Sequence, residues 1–160
     1  MKGSRQIDSK TIGPSQRYEL LIAHQELLCI DLEALADQLP HHVDTWAAKN
    51  LADMLQPTIR ACQELEEGQV FPAILKLDSS HAPTIERLRA EHVEDEDHAQ
   101  LVSETITRFI HYPGNADADL LGYLIRGLFQ PLQRHSAFDR KVILPLYLQA
   151  QRDHNRSARG

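Results

Sequence analysis

Apolar residues recur at helical spacing along nearly the whole chain, and no segment alternates with the period of a strand. That regularity restricts the chain to an all-α fold. Tyr18, Leu21, Ile22, Leu28, Leu32, Leu35 and Leu39 form a first stripe, which predicts a helix from about Ser15 to Leu39, ended by Pro40. A second helix should start after Asp44 or Thr45, both good caps, and carry Leu51, Leu55, Ile59, Cys62, Glu66 and Val70, with Pro57 kinking or splitting it. A third carries Ile85, Leu88, His92, Ala99, Val102, Ile106 and Ile110, between the turn at Asp78–Pro83 and the break at His111–Asn115. A fourth carries Leu121, Leu124, Leu128, Leu132, His135, Asp139 and Val142, with Pro131 a kink and Pro145 near its end. Four such helices joined by short turns predict an up-down-up-down four-helix bundle over residues 14–150, between flexible tails at 1–13 and 151–160.

A chain of 160 residues suits one domain, and its 42% hydrophobic content is enough to build that domain's core. A net charge of −6, with basic residues clustered only at the ends, argues against nucleic acid and against a basic membrane-surface helix. No apolar run approaches a membrane span and no signal-peptide segment follows the first residues, so neither a membrane nor export is expected. Two cysteines make no disulfide framework, and a reducing cytoplasm is the expected setting.

One short pattern is written twice. Cys62-Gln-Glu-Leu-Glu66 precedes Pro72 by six residues from its carboxylate, and His135-Ser-Ala-Phe-Asp139 precedes Pro145 by the same six. Every matched position is 73 residues apart (135−62, 139−66, 145−72), which divides the chain into two helical hairpins related by an internal two-fold repeat. Donors four residues apart share one helix face, one turn from each other, so a single rigid helix can offer both to one metal ion.

Polar residues also interrupt the apolar stripes. Glu66, His92, His135 and Asp139 fall in them, and His24 lies within a turn of Leu21 and Leu28. Buried carboxylates and imidazoles cost several kcal/mol unless paired or metal-bound. Two carboxylates and three histidines from four helices are better explained by one common ligand than by five separate accidents. Nitrogen and carboxylate donors in a bundle core suit iron, with manganese as a substitute, and thiol-rich structural zinc is disfavoured. Glu67 reads as solvent-facing, and His41, His42, His81, His98, His111 and His154 as surface residues.

These residues carry a family likeness. The ordered set Arg17–His24, Glu66-Glu-Gly-Gln-Val-Phe-Pro72, Leu88–Glu96 and His135–Asp139 with Leu144-Pro145 resembles the hemerythrin-like, histidine–histidine–glutamate cation-binding domains over roughly residues 14 to 150. The resemblance implies a non-heme di-iron centre with His24, Glu66, His92, His135 and Asp139 as ligands, the two carboxylates bridging. It also implies a histidine at position 62, where this chain has Cys62. Three outcomes follow: Cys62 ligates as a thiolate, Glu96 supplies an extra carboxylate one turn after His92, or one metal position is weak or empty.

The resemblance implies a protein that binds or senses dioxygen, or related species such as nitric oxide and peroxide, more readily than an enzyme. No feature of the sequence identifies a substrate channel or an electron source. The alternative is a helical interaction or regulatory module that keeps the fold and has lost the metal. A second copy of the chain or a protein partner is the remaining candidate for carrying a signal.

Overall fold

A computed structural model describes residues 12–160. The expected N-terminal tail falls almost wholly outside the described residues. Six α-helical segments follow in order: α1 (Pro14–Gln38), α2 (Thr45–Leu65), α3 (Phe71–Leu77), α4 (Ala82–His111), α5 (Ala118–Phe138) and α6 (Leu144–Ser157). No strand occurs among the described residues. A π turn over Glu66–Val70 joins α2 to α3 without a break, and a second over Asp139–Ile143 joins α5 to α6. The molecule is therefore four rods: α1, α2–α3, α4 and α5–α6. Both α1 and α4 pack against α2 and α5, the arrangement of an up-down-up-down bundle.

Local chemistry sets the ends of the rods. Asp44 caps α2 by accepting from the backbone N–H groups of Trp46 (3.1 Å) and Ala47 (3.0 Å), and Asp117 caps α5 by accepting from Leu120 (3.0 Å). Proline stands in the first turn of α1, α3, α4 and α6, where its missing N–H costs no helical bond. Both α2 and α5 run through their internal prolines, Pro57 and Pro131, as continuous α-helix. The last rod is longer than its sequence suggested. Helix α6 continues to Ser157, so most of the expected tail at 151–160 is helical.

The twofold repeat in sequence is also a repeat in backbone. Each π turn begins at the motif carboxylate, and the residue just past it, Phe71 or Leu144, donates its N–H to the carbonyl of Glu66 or Asp139 five residues back. Each also precedes a proline, Pro72 or Pro145. A proline inside an α-helix removes a donor and drives its ring into the carbonyl four residues earlier. Widening the preceding turn by one residue relieves that clash, and such bulges cluster at functional sites. The extra residue also shifts the apolar stripe by one position. Ile143 and Leu144 are buried in the last rod, whereas Val142, placed on the stripe by uninterrupted helical spacing, is exposed.

Candidate metal centre

The bundle has two apolar cores with a polar layer between them. One core gathers Leu28, Leu32, Leu55, Ile59, Val102, Ile106, Ile125 and Leu132 with their neighbours. The other gathers Tyr18, Ile22, Cys62, Phe71, Ile74, Ile85, Leu88, Ile143 and Tyr147. Between them on every rod lie the buried polar side chains: Gln25, Gln63, Glu66, His92, Asp95, His135, Ser136 and Asp139. Three of these are tied off locally. Gln63 donates to the His92 carbonyl at 3.1 Å, and Ser136 donates to Gln25 Oε1 at 3.2 Å.

The other side chains face each other without bonding. Glu66 Oε2 lies 3.6 Å from His92 Nε2 and 4.0 Å from His135 Nε2, and His135 Nε2 lies 3.4 Å from Asp139 Oδ2. Glu66 Oε2, His92 Nε2, both ring nitrogens of His135 and both oxygens of Asp139 have no hydrogen-bond partner among the described residues. Buried polar atoms are nearly always satisfied, so this many orphans in one layer require an explanation. Donors held about 2.1 Å from a shared ion stand roughly 3–4 Å from one another, which is the separation found here. Donor atoms of Glu66, His92 and His135 lie within 4.8 Å of one another, and so do those of Cys62, Glu66 and Asp139. Glu66 belongs to both groups, and the Cys62 thiol donates to its Oε1 at 3.2 Å.

Ring stacking and outer carboxylates hold the imidazoles. Phe71, His92 and His135 stack in sequence, with centroids 5.7 and 5.2 Å apart and planes within 14° and 3° of parallel. Glu67 Oε1 meets His92 Nδ1 at 2.7 Å. On the other ring, Asp95 Oδ2 lies 3.4 Å and Glu91 Oε2 3.7 Å from His135 Nδ1. The acceptor at His92 Nδ1 keeps the proton there and turns the Nε2 lone pair inward, the outer arrangement common to metal-binding histidines, whereas the carboxylates beside His135 Nδ1 stand close without a hydrogen bond.

Burial and crowded charge shift the titration of Glu66, His135, Asp139 and Cys62. Burial works against a charge on Glu66, but His135 and His92 beside it hold its carboxyl below the usual range. For His135, burial opposes the charged form, and contact with Asp95, Glu66 and Asp139 overcomes it, pushing the imidazole up to about 11. Asp139 lies well above the usual carboxylate range because of burial first and the neighbouring Glu66 charge second. Burial, then the Glu66 and Asp139 charges, likewise raises the Cys62 thiol.

Of the residues picked out by sequence, Cys62, Glu66, His92, His135 and Asp139 come together in this layer. Two do not. His24 is exposed on α1, because the buried face of that helix runs through Tyr18, Ile22, Gln25, Cys29 and Leu32 and leaves position 24 about 100° off it. Glu96 is at the surface, paired with Arg60. The inward carboxylate of that turn is Asp95, three residues after His92. His41, His42, His111 and His154 are exposed, and His81 and His98 partly so. Glu67 is exposed as expected, but its carboxylate reaches back to His92.

The family model for the hemerythrin HHE cation-binding domain matches residues 17–147. No curated protein and no solved structure matches the chain.

Proposed function

The chain belongs to the hemerythrin HHE cation-binding family, and on that premise we propose that Glu66, His92, His135 and Asp139 bind non-heme iron for the recognition of a small reactive molecule. One observation carries the reading: four buried side chains from three rods present unpartnered atoms to one another at ligand spacing. Glu66 and Asp139 supply the negative charge that a buried cation needs, and the two imidazoles supply neutral nitrogen donors. Glu67 holds the His92 ring, and Asp95 stands beside the His135 ring as a further carboxylate outside the ligand set.

Iron, when bound, supplies redox chemistry toward dioxygen, nitric oxide or peroxide. The polypeptide contributes a buried layer of donors and an approach to one edge of it. A cleft of about 490 Å³ lined by Arg87, Glu91, Asp95, Pro131, Arg134 and His135 opens on the outer side of the His135 ring. That approach gives a small molecule access to the edge of the layer at His135. No helix among the described residues is long and apolar enough to cross a membrane.

Cys62 favours a second reading, a helical module that keeps the fold without the ion, because a thiol stands where the family pattern has an imidazole. Anaerobic reconstitution with ferrous iron separates the two. Stoichiometric iron that is lost in His92→Ala supports the proposal. A folded bundle with near-zero iron supports the metal-free module, and no effect of air on the spectrum of the loaded protein would remove the small-molecule role.

A further inference from the structure

The geometry points to an asymmetric centre: beside the histidine-rich position, Cys62, Tyr18, Glu66 and Asp139 form a second metal position of thiolate and phenolate character. This rests on the reading of Glu66, His92, His135 and Asp139 as a metal site, and adds to it two ligands of a different chemical class.

Four observations converge on that position. Donor atoms of Cys62, Glu66 and Asp139 lie within 4.8 Å of one another, all three side chains buried. Tyr18 is fully buried on α1, and its hydroxyl has no hydrogen-bond partner among the described residues. The Tyr18 side chain packs in the same buried cluster as Cys62, and Glu66 and Asp139 lie near enough for their charges to act on the hydroxyl. The ring is fixed edge-on against Tyr147, with centroids 6.1 Å apart. A buried tyrosine kept only for packing normally finds a partner for its hydroxyl. Here the phenol points into the same unsatisfied polar layer, in place of the exposed His24 on the same helix.

Charge and softness then define the ion. Two carboxylates, one thiolate and one phenolate carry four negative charges, whereas the histidine side of the centre offers neutral nitrogens. An anionic, sulfur-bearing set suits a ferric ion or a thiophilic divalent ion such as cobalt or zinc. Metal binding replaces the protons that the thiol, the phenol and the carboxyl groups hold, which leave to solvent, and no electron is transferred.

Anaerobic titration with cobalt(II) tests the assignment, reading bound metal per chain by equilibrium dialysis and the near-ultraviolet thiolate-to-cobalt charge-transfer band. The expected result is two cobalt ions per chain and a band that survives His92→Ala. Cys62→Ser should lose the band and one ion; Cys62→His should recover the second ion without the band. In ferric protein, Tyr18→Phe should abolish a visible phenolate-to-iron band while leaving the helical circular dichroism unchanged. Two ions with no thiolate band in the wild type, or two ions retained by Cys62→Ser, would overturn the proposal. A single ion lost in His92→Ala, with no band, overturns it and leaves the histidine-side reading standing. A band that persists with one ion, indifferent to His92→Ala, supports the second position and removes the first. No cobalt bound by the folded wild type overturns both.

Discussion

Replacing Asp139 with leucine should make the metal-free protein more stable and the metal-loaded protein less so. Most substitutions at a buried position destabilise, so the first half of that expectation has an unusual sign. It follows from the geometry. Asp139 is fully buried, both of its oxygens lack partners among the described residues, and burial and then the neighbouring Glu66 charge push its carboxyl well above the usual carboxylate range. A buried polar group left unsatisfied costs about 1–3 kcal/mol, and a leucine, branched at the same Cγ position though bulkier, removes the group without opening a cavity. For a chain of this size each kcal/mol moves the midpoint by roughly 2–4 °C, so Asp139→Leu in chelator should melt about 2–12 °C higher. With metal at a hundredfold excess over its dissociation constant the wild type gains about 2.7 kcal/mol, and the variant gains far less. Thermal melts of both proteins, with chelator and with cobalt(II), should therefore cross in order. A variant that melts lower in chelator, and is stabilised by metal as well as the wild type, would refute the reasoning and make Asp139 a structural residue.

Other expectations follow from the same layer. Glu67→Gln keeps the contact at His92 Nδ1 but removes its charge, and should weaken metal binding by about 10–100-fold with little change in chelated stability, as isothermal titration would show. Metal affinity should rise with pH, because an incoming ion displaces the proton that His135 holds up to about 11; one displaced proton corresponds to about tenfold per pH unit. The chelated protein should move the other way. His135 contributes fully below its ordinary value near 6.5, and that contribution is lost as pH rises through about 11. Asp139, raised in the fold, likewise makes stability fall as pH climbs above the ordinary carboxylate value, so chelated melting temperatures should decline toward alkaline pH. Pro72→Ala lets the first π turn relax toward an α register that rotates Glu66 off the layer; the midpoint in chelator should hold or rise while metal affinity falls at least tenfold.

The bundle was legible because each rod keeps one apolar stripe long enough to fix its period, and because caps and prolines mark its ends. The carboxylates were legible for the same reason: Glu66 and Asp139 sit where an aliphatic residue would be expected, at matched distances from a proline. His24 misled because its identity fits the family pattern while its phase does not. The buried set Tyr18, Ile22, Gln25, Cys29 and Leu32 advances in steps of three and four, and position 24 lies outside it. The same arithmetic favours Asp95 over Glu96, since 92, 95 and 99 continue the buried series and 96 does not.

Two features had weaker signals. The π turns change the phase of the stripe, so a regular period chose Val142 where the fold buries Ile143. The prolines six residues after each carboxylate were their only trace in the sequence. Glu67 and Tyr18 reach the layer through tertiary contact alone. A carboxylate beside a buried carboxylate on an exposed face reads as solvated, and a tyrosine in an apolar stripe reads as core. Only the packing of α4 against α2, and of α1 against the second π turn, brings each to the polar layer.

The central claim is that this buried layer is built around an ion, and anomalous scattering from crystals of iron-reconstituted protein, recorded at the iron edge, tests it most directly. The account predicts an anomalous peak enclosed by Glu66, His92, His135 and Asp139. An iron peak confined to surface residues, with those four side chains ordered and filled by protein or water alone, would contradict it.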